Sequence, residues 1–330
     1  MAAVDLIEVW RGDLVECVHR GHIVVAGADG EIAHSWGDPG AVIYPRSAFK
    51  MIQALPLIES GAADAVGLRG DQLALACASH QGAAIHTDRV QAWLAGLGLT
   101  DADLRCGPQV PSDIPARDRL IKTDKSPCQY HNNCSGKHSG FLTLNQHLGG
   151  GAEYIDIDHP VQKAVLAAFE EVTGEASPGF GIDGCSAPSH ATSVHGLARA
   201  MAHFATAQDR SDLRAGAQQQ LIDAMTAFPE LVSGEGEACT ELMRACGGRV
   251  AIKGGADGCY IAILPEQRLG VALKILDGSE RAKEAAIATV LIKLGVLDPA
   301  HPAALRLVNT VMKNRRDVVV GTVKPAAILA

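Results

Sequence analysis

Apolar residues recur along this chain at two periods, and the switches between them divide it into three stretches. Segments 4–10, 14–19, 22–27 and 31–36 are short and rich in Val and Ile. Gly12-Asp13, Gly21 and Asp29-Gly30 separate them, the pattern of an antiparallel meander. From Asp71 to about Phe228 the period lengthens to that of helices, at 71–78, 87–97, 136–148, 160–173, 189–206 and 211–228. Pro160 stands at a first turn, and Gly98, Gly149 and Gly174 follow last turns. Strand-like segments return at 249–254, 259–264 and 269–276, then Ser279 caps an amphipathic helix to Leu294, and 317–323 reads as one more strand. If both strand groups share a sheet, the fold class is α+β within a single domain of 330 residues. An antiparallel sheet would come from both chain ends, 1–45 and 248–330, and a helical subdomain from 46–247, with a crevice opening near Ser47.

Candidate chemistry begins at that join. The residue before a proline is driven toward extended geometry, so Tyr44-Pro45-Arg46 cannot start as helix. Met51, Ile52, Leu55 and Ile58 nevertheless fall at helical spacing, and Gly61 stops the run. A helix opening near Ser47 places Lys50 one turn on, on the same face. A serine hydroxyl is a poor nucleophile until a neighbour takes its proton. A lysine can do so when neutral, a form that burial and a second cation favour. The same spacing also fits a capping serine followed by a solvated lysine.

Three stretches place Gly or Pro beside reactive side chains, as loops that present chemistry do: Cys77-Ala-Ser79-His80-Gln-Gly82, His131-Asn-Asn133-Cys134-Ser-Gly-Lys137-His138-Ser-Gly140 and Gly181-Ile-Asp183-Gly-Cys185-Ser-Ala-Pro-Ser-His190. Lys253-Gly254-Gly255, at the edge of a predicted strand, resembles the Lys-Thr-Gly strand of serine β-lactamases and penicillin-binding proteins, whose nucleophile motif is Ser-x-x-Lys. Gly254 replaces the threonine, and Ser112-Asp113-Ile114 lacks the asparagine of their Ser-Asp-Asn element, which argues against β-lactam turnover. Gly136-Lys137 lacks the first glycine and final hydroxyl of a phosphate-binding loop. His190, His195 and His203 lack the i, i+4 spacing of a zinc-binding helix.

Taken in order, Ile43-Tyr-Pro-Arg-Ser-Ala-Phe-Lys50, Cys77-Ala-Ser-His-Gln-Gly82, Cys106-Gly-Pro-Gln-Val-Pro111, Asn132-Asn-Cys-Ser-Gly-Lys-His-Ser-Gly-Phe141 and Asp183-Gly-Cys-Ser-Ala-Pro188 resemble the Rhizobium-type, thermolabile asparaginase II group of L-asparaginases. The resemblance implies a serine β-lactamase-like fold, a homodimer, and hydrolysis of L-asparagine to L-aspartate and ammonia. It places two Ser-Lys pairs in the site, Ser47 with Lys50 and Ser79 with Lys253. Ser47 would attack the side-chain amide, with backbone N–H groups of Ser47 and near Gly255 receiving the oxyanion. Arg46 is the candidate for the substrate α-carboxylate and Asp183 for its α-ammonium. His80, Asn133 and the Gly254-Gly255 backbone are further candidate substrate contacts.

Read without the resemblance, Cys134 and Cys185 are buried thiols, and His138 fits a zinc set better than Lys137 does. The resemblance implies instead one zinc per chain, held by Cys134, Lys137 and Cys185 with a water. Nine cysteines without an export-like apolar run at the N-terminus suggest reduced thiols in the cytoplasm, most of them inert, Cys17, Cys128, Cys239, Cys246 and Cys259 among them. A net charge of -8 argues against nucleic acid, and no stretch has the length to span a membrane. Two other readings stand beside an asparaginase: a related serine hydrolase acting as glutaminase, esterase or peptidase, and a non-catalytic zinc or redox protein on the same fold.

Overall fold

A computed structural model of the chain describes residues 2–330. Its main sheet runs in the order Thr310–Lys313, Val319–Pro325, Val4–Arg11, Leu14–Ala26, Leu269–Ile275, Cys259–Leu264, Ala251–Gly254, and Ile32–Trp36 also pairs with Leu14–Ala26. Every pairing is antiparallel. The expected α+β class, with an antiparallel sheet drawn from both chain ends, is the one observed.

Gly21 does not break the strand, as the sequence led us to expect; Leu14–Ala26 is continuous. A Cβ at Gly21 would lie 2.1 Å from the Lys274 carbonyl oxygen, so this glycine permits a close backbone approach rather than a turn. Gly270 does the same for a helix. A Cβ there would lie 2.0 Å from Ala202 N and 2.3 Å from Ala198 O, and its absence lets Val194–Ala205 lie directly on the strand Leu269–Ile275. Leu197 and Met201 on that helix are completely buried, each worth roughly 1.5–3 kcal/mol.

The chain forms two compact units. The sheet unit runs from the N-terminus through Ala48 and adds Thr192–Thr206 and Glu241–Ala330. It therefore takes in the helix Val194–Ala205, and its limits differ from the expected 1–45 and 248–330. The helix expected over 189–206 begins only at Val194, capped by Ser193 Oγ accepting the Gly196 N–H. Thr192–Ser193 pairs instead with Val42–Ile43.

The helical unit comprises Phe49–Ala191 and Ala207–Thr240. At its centre the helix Ser135–Leu148 is buried on every side from Ser135 to Asn145. Its small residues make this possible: a Cβ at Gly136 would lie 2.3 Å from Leu75 O, so only glycine lets this helix meet the end of Gly70–Ala76. Ser112-Asp113 is a helix start, where the Asp113 carboxylate accepts the Ala116 N–H and caps Ile114–Lys122.

Candidate active site

In the sheet unit, Ser47 lies in a 3-10 turn, Arg46–Phe49, that leads into the short helix Lys50–Gln53. Arg46 has φ 54°, a left-handed conformation costly for a non-glycine residue. Its guanidinium pairs with the Asp257 carboxylate, so the cation expected to receive a substrate carboxylate already has an internal partner. Gly255 packs against the same turn: a Cβ there would lie 2.6 Å from Pro45 O and 2.9 Å from Ala48 N. The Gly255 N–H donates to Cys259 O at 2.9 Å, which removes it as an oxyanion donor. Buried Lys253 donates to Gly254 O at 2.6 Å, and buried Lys283, which the sequence did not single out, donates to Gly255 O at 2.7 Å.

In the helical unit, completely buried Lys50 places Nζ 3.0 Å from Ser79 Oγ and 3.1 Å from Cys134 Sγ, and donates to Ala78 O. The sequence reading assigned Lys50 to Ser47, so the bond to Ser79 is a finding of the structure. Ser79 follows the helix Gly70–Ala76 in a loop fastened by backbone bonds, Ser79 N–H to Val232 O and His80 N–H to Asn133 O.

His80 does not present its ring to a substrate. Ser135 Oγ–H donates to Tyr130 O, so it accepts from His80 Nε2–H at 2.9 Å, and His80 Nδ1 accepts the Gly82 N–H. Both ring nitrogens are engaged by a neutral imidazole. Burial, then the neighbouring His86 and Lys50, lower its pKa well below the ordinary value. The Asn133 backbone N–H donates to Gln109 Oε1, while its half-buried side chain has no hydrogen bond among the described residues and remains open to a ligand. Asp183 accepts the adjacent Gly184 N–H at 2.7 Å.

Cys134, Lys137 and Cys185 meet in the same unit, all buried. Cys134 lies beside Cys185, and Lys137 Nζ donates to the Cys185 sulfur at 3.0 Å. That arrangement raises the Cys134 pKa well above the ordinary thiol value. It lowers that of Cys185 well below, the Cys134 hydrogen bond and the Lys137 charge outweighing burial. Burial works against the Lys137 ammonium, but Cys185, Cys134 and Asp183 outweigh it and raise its pKa.

Among the described residues, no group of three His, Cys, Asp or Glu side chains could hold a metal ion. His138 is thus excluded as third ligand beside the two cysteines, and a metal here would require Lys137. Two thiols and an amine, dry and converging, suit zinc once their protons are displaced. His138 Nε2, on the same helix as Lys137, is buried without a hydrogen-bond partner among the described residues. The donor set fits the ion.

The family profile of the L-asparaginases II matches residues 7–325. The chain belongs to the L-asparaginase II family. No curated protein sequence matches it. Among solved structures, Mglu in a tris and glutamate form is similar at 14% identity, over 84% of this chain and 60% of that one, with a TM-score of 0.48. The chain thus spans 60% of the length of Mglu. A β-lactamase from Mycobacterium bovis is similar at 15% identity, over 83% of this chain and 94% of that one, with a TM-score of 0.47.

In this L-asparaginase II chain, sequence reasoning missed the residues that hold the site's loops. Asn132 donates its side-chain amide to Cys106 O and Gly107 O, and its oxygen accepts the Cys134 N–H. Gln81 donates to Glu237 Oε1 at 2.8 Å. Amides beside glycine and proline were the available signal, because such loops need side chains to satisfy their backbone. A cavity of about 930 Å³ is lined by Trp10, Ile292, Lys293, Leu305 and Lys324 among others and contains none of the predicted site residues.

Proposed function

We propose that this amidohydrolase hydrolyses L-asparagine to L-aspartate and ammonia through a lysine-activated serine. One observation supports a lysine-activated serine: completely buried Lys50 holds its amine 3.0 Å from Ser79 Oγ. In the reacting state a neutral amine donates its two hydrogens to Ala78 O and Cys134 Sγ and turns its lone pair to a serine O–H. Ser47 attacks the side-chain amide carbon, and its proton passes to Lys50. The oxyanion is received by backbone donors, for which the Ser47 N–H stands as candidate. Ammonia leaves with the proton, and water hydrolyses the aspartyl ester.

A second assignment has its own support. Ser79, rather than Ser47, is the hydroxyl bonded to Lys50, and in this version Ser79 attacks while Ser47 assists. Trapping the acyl-enzyme with a slow ester and mapping the labelled peptide distinguishes the two.

Arg46 receives the α-carboxylate by exchanging Asp257 for it, and Asp183 the α-ammonium. Cys134, Lys137 and Cys185 would hold a zinc ion, which when bound supplies a Lewis acid for a carbonyl or carboxylate oxygen. The same reading takes the protein as a cytoplasmic homodimer. Family resemblance supports the dimer, and nine cysteines, with no disulfide among the described residues, support a reducing compartment. No helix among the described residues is long and apolar enough to cross a membrane.

The decisive experiment measures ammonia release from L-asparagine by wild type, Ser47→Ala, Ser79→Ala and Lys50→Met, with L-glutamine, nitrocefin and short esters alongside. Activity on L-asparagine that collapses in Lys50→Met is expected. No release by wild type at any pH between about 6 and 10 would sink the proposal.

A further inference from the structure

Arg46, immediately before Ser47, holds a left-handed φ of 54°, and a costly backbone conformation persists only where its surroundings impose it. The connection between the strands Ala251–Gly254 and Cys259–Leu264 supplies those surroundings. Three alternate residues meet different parts of the turn. Gly255 abuts Pro45 O and Ala48 N, Asp257 pairs with the Arg46 guanidinium, and Cys259 Sγ donates to Tyr44 O at 3.3 Å. In the proposed reaction Arg46 exchanges Asp257 for a substrate carboxylate, so that exposed pair is broken when the turn must stay in place. Cys259 and Gly255 are left to hold it.

Both are themselves fixed. Cys259 is completely buried, and burial pushes its thiol up to about 11, so the S–H donor persists at neutral pH. The Gly255 N–H donates to Cys259 O at 2.9 Å, and Gly255 O receives Lys283 Nζ at 2.7 Å. Lys283 stands on the helix Glu280–Lys293 among completely buried Ala282, Ala286 and Ile287 and is itself 4% exposed. Its amine also meets Glu280 Oε1 at 2.8 Å and lies 5.8 Å from the centre of the Tyr260 ring. Enclosing an ammonium is costly, and an apolar side chain of like volume is commonly as stable or more so, so stability alone does not account for a lysine here. Its hold on the Gly255 carbonyl does.

We propose that Cys259 and Lys283 are positioning residues for Ser47: Cys259 fixes the turn through Tyr44 O, and Lys283 fixes Gly255, against which Pro45 and Ala48 rest. Neither enters the chemistry. They set the direction of the Ser47 hydroxyl and backbone N–H, and a displacement of about 1 Å at a reacting group is enough to cost about 10²-fold in rate. The inference rests on the reading in which Ser47 takes part in the reaction. It gives a role to a cysteine expected to be inert and to a lysine that no motif includes.

The test compares kcat and KM for L-asparagine in wild type, Cys259→Ala, Cys259→Ser and Lys283→Met, with thermal unfolding of each and amide hydrogen exchange of the peptide spanning 44–49. Cys259→Ala is expected to lower kcat about 10–100-fold with KM within about threefold of wild type. Cys259→Ser, which keeps a donor to Tyr44 O, should restore most of that loss. Lys283→Met should lower kcat about tenfold or more without lowering the unfolding temperature. Exchange across 44–49 should quicken in Cys259→Ala and Lys283→Met and not in Cys259→Ser. A folded Cys259→Ala or Lys283→Met with kcat within about threefold of wild type overturns the proposal, as does a Lys283→Met that loses stability while exchange across 44–49 is unchanged. If Cys259→Ala does not fold, kcat and exchange in Lys283→Met decide the matter. If wild type releases no ammonia, or Ser47→Ala is as active as wild type, the reading beneath fails, and exchange across 44–49 still decides whether these two residues hold the turn.

Discussion

Beside Ser47 the ion pair of Arg46 sits close to solvent, whereas around Lys50 the polar groups are enclosed and tied to one another. The Arg46–Asp257 pair is open, the Asp257 side chain 63% exposed. Lys50 is 0% exposed and touches a carbonyl, a hydroxyl and a thiol, with Lys137 and Cys185 meeting Cys134 beyond it. Screening makes the first kind of contact weak and exchangeable, while exclusion of water makes the second strong and costly to break. A loop that must accept a substrate can be built from the first kind. A base that must stay in register needs the second.

The contrast predicts a graded series. Lys50→Met preserves the apolar volume and removes the amine, and it should lower ammonia release by roughly 10²–10⁴-fold with the fold intact by circular dichroism. Activity within tenfold of wild type would dissolve the distinction between the two regions. Gly255→Ala comes next. Its new Cβ meets backbone atoms that cannot swing aside, so a loss of about 1–3 kcal/mol in unfolding free energy is expected, together with reduced kcat. Gly96→Ala, where a Cβ meets nothing within 4 Å, is the control and should stabilise slightly.

A third prediction concerns pH. His80 is buried neutral with its pKa lowered, so below the unfolded-state value of about 6.5 the unfolded chain binds a proton that the folded one refuses. Its contribution is complete above that pH and is lost as pH falls toward the depressed folded pKa. Chemical denaturation at about pH 7 and pH 5 should show stability decreasing with acid, and less steeply in His80→Gln. An unchanged slope would mean that His80 is not held neutral. The smallest effect belongs to Asp257→Asn. Loss of an exposed pair should change stability by less than about 1 kcal/mol, yet it frees Arg46 and should lower KM for a substrate carrying a carboxylate. A raised KM would show instead that Asp257 serves to position Arg46.

Much of this was legible in the chain because local signals have local causes. Strand 259–264, helix 160–173 with its proline start and glycine stop, and the polar loops at 77–82 and 131–140 all follow from period and turn chemistry within a few residues. The loop at 131–140 holds Cys134 and Lys137 and the stretch at 181–190 holds Cys185, three residues that the structure brings together. Sequence reasoning erred where one residue type serves two purposes. Glycine at 21 read as a turn and is a close approach, Arg46 read as a free cation and holds Asp257, and His80 read as a substrate contact and is locked to Ser135 and Gly82.

By itself, then, the sequence determined the antiparallel sheet at both chain ends, the helical stretch between them, and the set of reactive side chains available. Tertiary structure decided which of them meet. Lys50 reaches Ser79 across 29 positions, the Gly255 N–H is taken by Cys259, and the Tyr154 hydroxyl lies 2.8 Å from His138 Nδ1 from a loop no motif includes. Such pairings depend on how buried donors and acceptors are shared out once water is excluded. That allocation is made by the whole packed unit, since every enclosed polar atom must find a partner among whichever groups the fold has brought near.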